Sequence, residues 1–232
     1  MSKWWLALGC LLLALLFGAL GAWQVERRAW KLDLITRVDA RVHAAPVAPP
    51  PPGAWGRINA RDDEYRRVRV EGEFLHEQET LVQAVTDLGP GYWLMTPLRT
   101  AQGFILINRG FVPPAWKDPA TRARCIPGEH VVITGLMRMS EPRGGFLRSN
   151  KPTLNRWYSR DVPAIAKAHG LIEGVAPFFI DAGADAKPGD FPVGGLTVIA
   201  FRNSHMVYAL TWFALCGLSL LGVALALKPR KA

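Results

Sequence analysis

The sequence predicts a membrane-anchored α+β protein, in which two transmembrane helices flank a mainly antiparallel β domain with one internal helix. Three observations lead there. A long uncharged apolar run lies near each end of the 232-residue chain, apolar and polar residues alternate in short stretches between them, and one segment among those stretches carries helix caps at both ends.

The first run, Trp4 to Val25, has no charged side chain; at about 1.5 Å per residue it crosses a hydrocarbon core about 30 Å thick. It exceeds the roughly 7 to 15 apolar residues of a signal peptide, so an uncleaved anchor is expected. Met206 to Leu227 repeats the pattern. Aromatic residues mark the boundaries: Trp4 and Trp5, then Trp23 and Trp30, and Tyr208 and Trp212 where the second run begins. Ala14, Gly18 and Ala22 form a small-residue stripe at four-residue spacing, which predicts close approach of the second helix. Lys228, Arg230 and Lys231 favour a cytoplasmic C-terminus while Arg27, Arg28 and Lys31 pull the other way, so charge counting is indecisive; basic residues on a long translocated domain weigh little, which favours cytoplasmic termini.

The first helix, with its span at residues 4–25, is expected to continue to about residue 42, because Trp30, Leu34, Ile35, Val38 and Val42 fall near one face. A Pro-rich stretch at 43–57, with Pro49 to Pro52 at its centre, reads as a stiff extended linker. The domain is placed at 58–203. Val68, Val70 and Phe74 alternate with charges in a half-buried strand from Tyr65 to Phe74, and further strands are expected at Thr80–Thr86, Tyr92–Leu98, Phe104–Asn108, His130–Met139, Pro177–Asp181 and Leu196–Phe201. Asp161 as N-cap, Pro163 in the first turn and Gly170 after His169 delimit the internal helix. Such an arrangement suits a partly closed barrel. The second transmembrane helix is placed at 204–227.

The formal net charge of +9 is scattered rather than clustered, and with no recognised nucleic-acid motif it argues for a lipid bilayer and against nucleic acid as partner. Cys10 and Cys216 lie in the two apolar runs and Cys125 between them, which supplies no disulfide framework. The sequence contains no G-x-S-x-G, Walker, dinucleotide, H-E-x-x-H or C-x-x-C pattern, and its five histidines lack metal-ligand spacing; no enzyme is expected. Asn108-Arg109-Gly110 could bind an anion through Arg109, although a structural ion pair at a strand end explains the same residue; Asp161 reads as a helix cap and Cys125 as an inert thiol. His205 has an unusual address, at the mouth of the second span with Asn203 or Ser204 available to cap the helix and Tyr208 and Trp212 near its face. A neutral imidazole at a membrane edge among aromatics suits an amphipathic porphyrin, although an interfacial polar anchor explains the same residue.

The order of motifs resembles the surfeit locus protein 1 family. The match runs through Gly21-Ala22-Trp23-Gln24-Val25-Glu26-Arg27-Arg28-Ala29-Trp30-Lys31, then Tyr65, Val68, Gly72 and Phe74, and Gly91-Tyr92-Trp93 with Thr96-Pro97-Leu98. Asn108-Arg109-Gly110-Phe111-Val112-Pro113 has Phe111 where the family usually has Trp. Asn150-Lys151-Pro152, Trp157-Tyr158, Arg160-Asp161, Pro192-Val193-Gly194-Gly195 and Asn203-Ser204-His205-Met206-Val207-Tyr208-Ala209-Leu210-Thr211-Trp212-Phe213 complete it. The resemblance implies an assembly factor for haem-copper cytochrome c oxidase that assists haem a insertion into, and maturation of, subunit I, with haem A synthase as a further candidate partner. It implies a bacterial inner membrane, both termini cytoplasmic and the domain periplasmic, or the intermembrane space in mitochondria. By matching position His205 becomes the haem iron contact; Tyr208 and Trp23 are expected as porphyrin neighbours and Arg27 and Arg28 as propionate partners. The alternative is a cofactor-free membrane scaffold that stabilises an oxidase intermediate.

Overall fold

The computed structural model describes residues 3–121, 130–145, 147–184, 191–199, 201 and 203–228. In chain order its elements are α1 (Lys3–His43), α2 (Ala60–Asp63), β1 (Arg67–Phe74), β2 (Thr80–Thr86), β3 (Gly89–Thr100), β4 (Gly103–Val112), β5 (Val131–Met139), α3 (Val162–Ala168), β6 (Val175–Ala182) and α4 (His205–Leu227). Two compact units result: Met1–Arg37 with Ile199–Ala232, and Val38–Val198. Cys125, Arg122 and Arg124 lie outside the described residues, as do Arg230 and Lys231 of the basic tail.

The first unit is an antiparallel helix pair, and both helices are long and apolar enough to cross a membrane. Leu11, Leu12, Leu13, Leu15 and Leu16 on α1, and Leu218, Leu220, Leu221 and Leu225 on α4, are exposed, as a lipid-facing surface requires. Trp5 and Trp23 are 69% and 53% exposed and about 27 Å apart along the helix, close to the thickness of a hydrocarbon core. The hydroxyls of Thr211 and Ser219 donate to the carbonyls of Val207 and Leu215 one turn back, so neither is orphaned in lipid. Phe17 stacks on Trp212 with centroids 5.6 Å apart, and Gly18 faces Cys216. A Cβ on Gly21 would come within 2.6 Å of the Phe213 ring, so this glycine lets the ring lie against the helix backbone.

The predicted four-residue stripe holds only in part. Ala14 is buried and Gly18 meets α4, but Ala22 is exposed and Gly21 takes its place. A four-residue step gains about 40° per turn on a 3.6-residue helix, so a face shared over several turns steps by three and four in alternation. The contact positions Cys10, Phe17, Gly21 and Gln24 keep that rhythm, opposite Gly222, Trp212, Phe213 and His205.

In the second unit the sheet order is β1-β5-β6-β4-β3-β2, and β1 also pairs with β3, which closes β1, β5, β6, β4 and β3 into a barrel with β2 appended. All pairings are antiparallel except β4 with β6. This is the α+β domain that the sequence predicts. Closure occurs at Glu73↔Arg99 and Phe74↔Leu98. A Cβ on neighbouring Gly72 would sit 2.2 Å from the Arg99 carbonyl oxygen, so a side chain there would push β1 off β3. Val68, Val70 and Phe74 point into the barrel with Leu98, Ile105, Ile107, Met137, Phe178 and Ile180. The opposite face of the β3–β4–β6 sheet carries Met95, Leu106 and Phe179, covered by Trp157 and by Val162 and Ile165 of α3. Asp161 caps α3 by accepting from the Ala164 N–H, and Gly170 takes φ +74° just past its end.

Two segments depart from the sequence reading. The linker is stitched to the barrel: the Val47 N–H donates to the Arg67 carbonyl, its own carbonyl accepts from Arg69, and Trp55 packs on the core. Prolines lack donors, but Val47 between them keeps both backbone groups. The strand expected at Leu196–Phe201 is absent among the described residues there. The barrel closes without it, and the Thr197 hydroxyl instead donates to Asp181 at 2.8 Å.

Candidate functional site

His205 is the first residue of α4, and its half-buried imidazole meets Gln24 of α1, with Nδ1 2.8 Å from the amide Oε1. An amide oxygen only accepts, so in this contact Nδ1 is the donor, and in the neutral imidazole the lone pair then lies on Nε2. The expected side-chain cap is not made. Ser204 stands at the N-cap with φ −101° and ψ 8°, which is not the extended geometry that aims a hydroxyl at the first turn; its backbone carbonyl accepts from Val207 and Tyr208 instead. The Asn203 Oδ1 is buried with no hydrogen-bond partner among the described residues.

The other sequence-selected residues have different environments. Trp23 and Tyr208 are each more than half exposed, and among the described residues neither ring stacks on the imidazole. Arg27 is exposed, with its guanidinium 4.2 Å from the Trp30 ring centroid. Arg28 is half-buried and, four residues after Gln24, shares its helix face. Lys31 follows on that face, with its ammonium 4.7 Å from the Phe201 ring centroid. Gln24 and Lys31 were missed as site residues. The three-and-four rhythm of α1 would have found them, since it carries the partner-facing side from Phe17 through Gly21 to Gln24, Arg28 and Lys31.

Among the described residues no group of three or more His, Cys, Asp or Glu side chains is placed to hold a metal ion. A lone imidazole is a poor site for a bare ion, whereas a porphyrin brings its own equatorial nitrogens and needs only an axial contact.

The remaining polar motifs are structural. Asp181, 5% exposed, accepts from Asn108 at 2.7 Å, Thr197 at 2.8 Å, and Arg138 and Arg160 at 3.1 Å each. Arg160 lies over the Phe179 ring and also binds Glu141. Burial works to raise the Glu141 carboxyl, but the hydrogen bonds and charge of Arg160 outweigh it and hold the group below the usual carboxylate range. Arg109 pairs with Glu79 at 2.8 Å, as read from the sequence, and packs over Phe74. Gly110, at φ +130°, admits the Val193 carbonyl oxygen to within 2.2 Å of where a Cβ would stand. His169 meets the Thr80 hydroxyl at 2.7 Å, and burial pushes its imidazole below the ordinary value.

Comparison with known proteins finds a match to the SURF1 family model over residues 11–217. The chain is 36% identical to Surfeit locus protein 1 of Gallus gallus over 91% of this chain and 72% of that protein. It is 37% identical to the Homo sapiens protein of the same name over 84% and 69%, and 36% identical to a SURF1-like protein of Monosiga brevicollis over 87% and 79%. These relatives are eukaryotic, and they overturn the bacterial inner-membrane placement with its cytoplasmic termini and periplasmic domain. Span length, aromatic belts and Lys/Arg bias are set by any bilayer and carry no mark of whose membrane is crossed. With the family model covering most of the chain, the protein belongs to the SURF1 family.

Proposed function

We propose that this chain assists haem a insertion into cytochrome c oxidase subunit I, and that His205 Nε2 would hold the haem iron. Membership of the SURF1 family supports a non-catalytic role in cytochrome oxidase assembly. The observation that carries the finer reading is the 2.8 Å contact of His205 Nδ1 with Gln24 Oε1. A neutral imidazole that donates from Nδ1 has Nε2 available for iron, and the bond to Gln24 favours that tautomer and orients the ring. When bound, haem a supplies the iron and its four porphyrin nitrogens. Trp23 and Tyr208 offer apolar faces at the membrane boundary, and Arg28, Lys31 and Arg27 offer cations for propionates, with Arg28 and Lys31 on the Gln24 face.

The test is the absorption spectrum of the detergent-purified protein from cells that make haem a, compared with His205→Ala and Gln24→Leu. Wild type should carry a haem a Soret band, His205→Ala should lose it, and Gln24→Leu should retain less haem with a shifted band. Equal haem in wild type and His205→Ala removes His205 as ligand, and a haem-free wild type leaves the cofactor-free scaffold as the better reading.

A further inference from the structure

Strand β2 ends the sheet order, and within the sheet it pairs with β3 alone, from Thr80↔Met95 to Thr86↔Gly89. The two-residue turn Asp87-Leu88 makes Thr86 and Gly89 a hydrogen-bonded pair. By alternation Ala84, Val82 and Thr80 also bond to β3, while Leu81, Gln83 and Val85 aim their backbone groups outward. The Gln83 N–H bears this out by donating to the Trp157 carbonyl at 2.9 Å. Beyond Trp157 the chain turns away, because the Tyr158 N–H is taken by Asn150 Oδ1 at 2.8 Å. Among the described residues nothing then pairs with the outward N–H and C=O of Val85, whose residue is 86% exposed.

Two cavities, of about 570 and 470 Å³, lie along this edge and share Gln83, Tyr92 and Tyr158, so they form one groove. Among the described residues Arg148 is the only charged side chain lining the larger one. Its guanidinium lies 5.6 Å from the Tyr158 ring centroid and donates to Gln83 Oε1. The smaller adds Lys117 and Arg156, with Lys117 5.8 Å from the Tyr92 ring centroid. Among the described residues Glu77 and Glu79 also line it, and Glu79 is paired with Arg109. An aromatic floor, a basic rim and an open strand edge thus occur together.

We propose that this groove docks an extended acidic segment of a partner protein, which adds a short strand at Val85 and sets its carboxylates against Arg148 and Arg156. Main-chain bonds to the open edge supply affinity, and the basic rim selects charge. The surface stands on the barrel unit alone and is independent of the His205 reading.

The probe is a fluorescein-labelled, end-blocked heptapeptide alternating Glu and Val, titrated by fluorescence anisotropy against the full chain in detergent. A Lys-for-Glu peptide and a backbone N-methylated acidic peptide serve as comparisons. The acidic peptide should bind at least about tenfold more tightly than either, and less tightly as salt rises. Val85→Pro removes an outward N–H without touching the β3 ladder, and Arg148→Glu reverses the rim charge; each should weaken binding about fivefold or more. If Val85→Pro fails to fold, Arg148→Glu and the N-methylated peptide carry the same test. No binding of the acidic peptide, equal binding of the Glu and Lys peptides, or wild-type affinity in both variants overturns the proposal.

Discussion

In the helix pair the leucines face outward and the polar partners, Gln24 and His205, meet between the helices; in the barrel Val68, Leu98 and Ile180 face inward and the charges gather on the outer face around Asp181. Each unit hides what its surroundings cannot solvate. Lipid tolerates leucine and penalises an unpaired amide or imidazole, and water does the reverse. A polar contact therefore orients the helix pair, while an apolar interior holds the barrel and its ion network fixes the loops above it. The two units should fail in different ways, and independently.

The largest effect is expected at Asp181. Changing it to Ala strands Arg138 and Arg160 half-buried without their shared carboxylate, a loss of about 3–5 kcal/mol. Denaturant titration of the full chain should show early barrel unfolding, while hydrogen exchange in α4 stays as in wild type. A smaller effect of about 1–3 kcal/mol is expected for Gly21→Val, which drives a side chain into the Phe213 ring. Exchange should then quicken near Phe213 and leave β4 and β6 unchanged; faster exchange in those strands would show that the units are coupled.

The smallest effect is the pH dependence of the barrel. Glu141 has a folded pKa below its unfolded value, so its contribution is complete above the ordinary carboxylate range and is lost as pH falls through the folded value. His169, depressed by burial, acts in the same sense: its contribution is complete above about 6.5 and fades as pH falls through its folded value. Thermal melting should therefore drop on the acid side, and Glu141→Gln should flatten the lower limb. An unchanged melting profile in that variant would mean that the Arg160–Glu141 pair adds nothing to stability.

Much of this was legible in the chain because local patterns decide it. Uncharged length gives the two spans, the alternation of Val68, Val70 and Phe74 gives β1, and Asp161, Pro163 and Gly170 frame α3. A partly closed barrel was expected, but the place where it closes was not legible, since closure rests on Gly72 passing the Arg99 carbonyl and on a parallel β4–β6 pair, both contacts between distant residues. Leu196–Phe201 looked like a strand because β-branched and apolar residues favour one, but its described residues join no ladder, and the Thr197 hydroxyl bonds to Asp181 instead. At the candidate site the sequence singled out His205 and its aromatic and cationic surroundings. It did not single out Gln24, because a four-residue stripe leads to Ala22, whereas the three-and-four rhythm carries the shared face from Phe17 through Gly21 to Gln24.

The parallel pairing of β4 with β6 also orders events during synthesis. β4 ends at Val112 and its neighbour β6 begins only at Val175, so a ribosome has nearly finished the domain before the barrel has a surface on which to close. Until then β4 presents a bare apolar edge, and α4 follows β6 closely in the chain. Closure of the barrel thus waits for a strand near the end of the domain, and the unclosed domain is the form most exposed to capture by other chains.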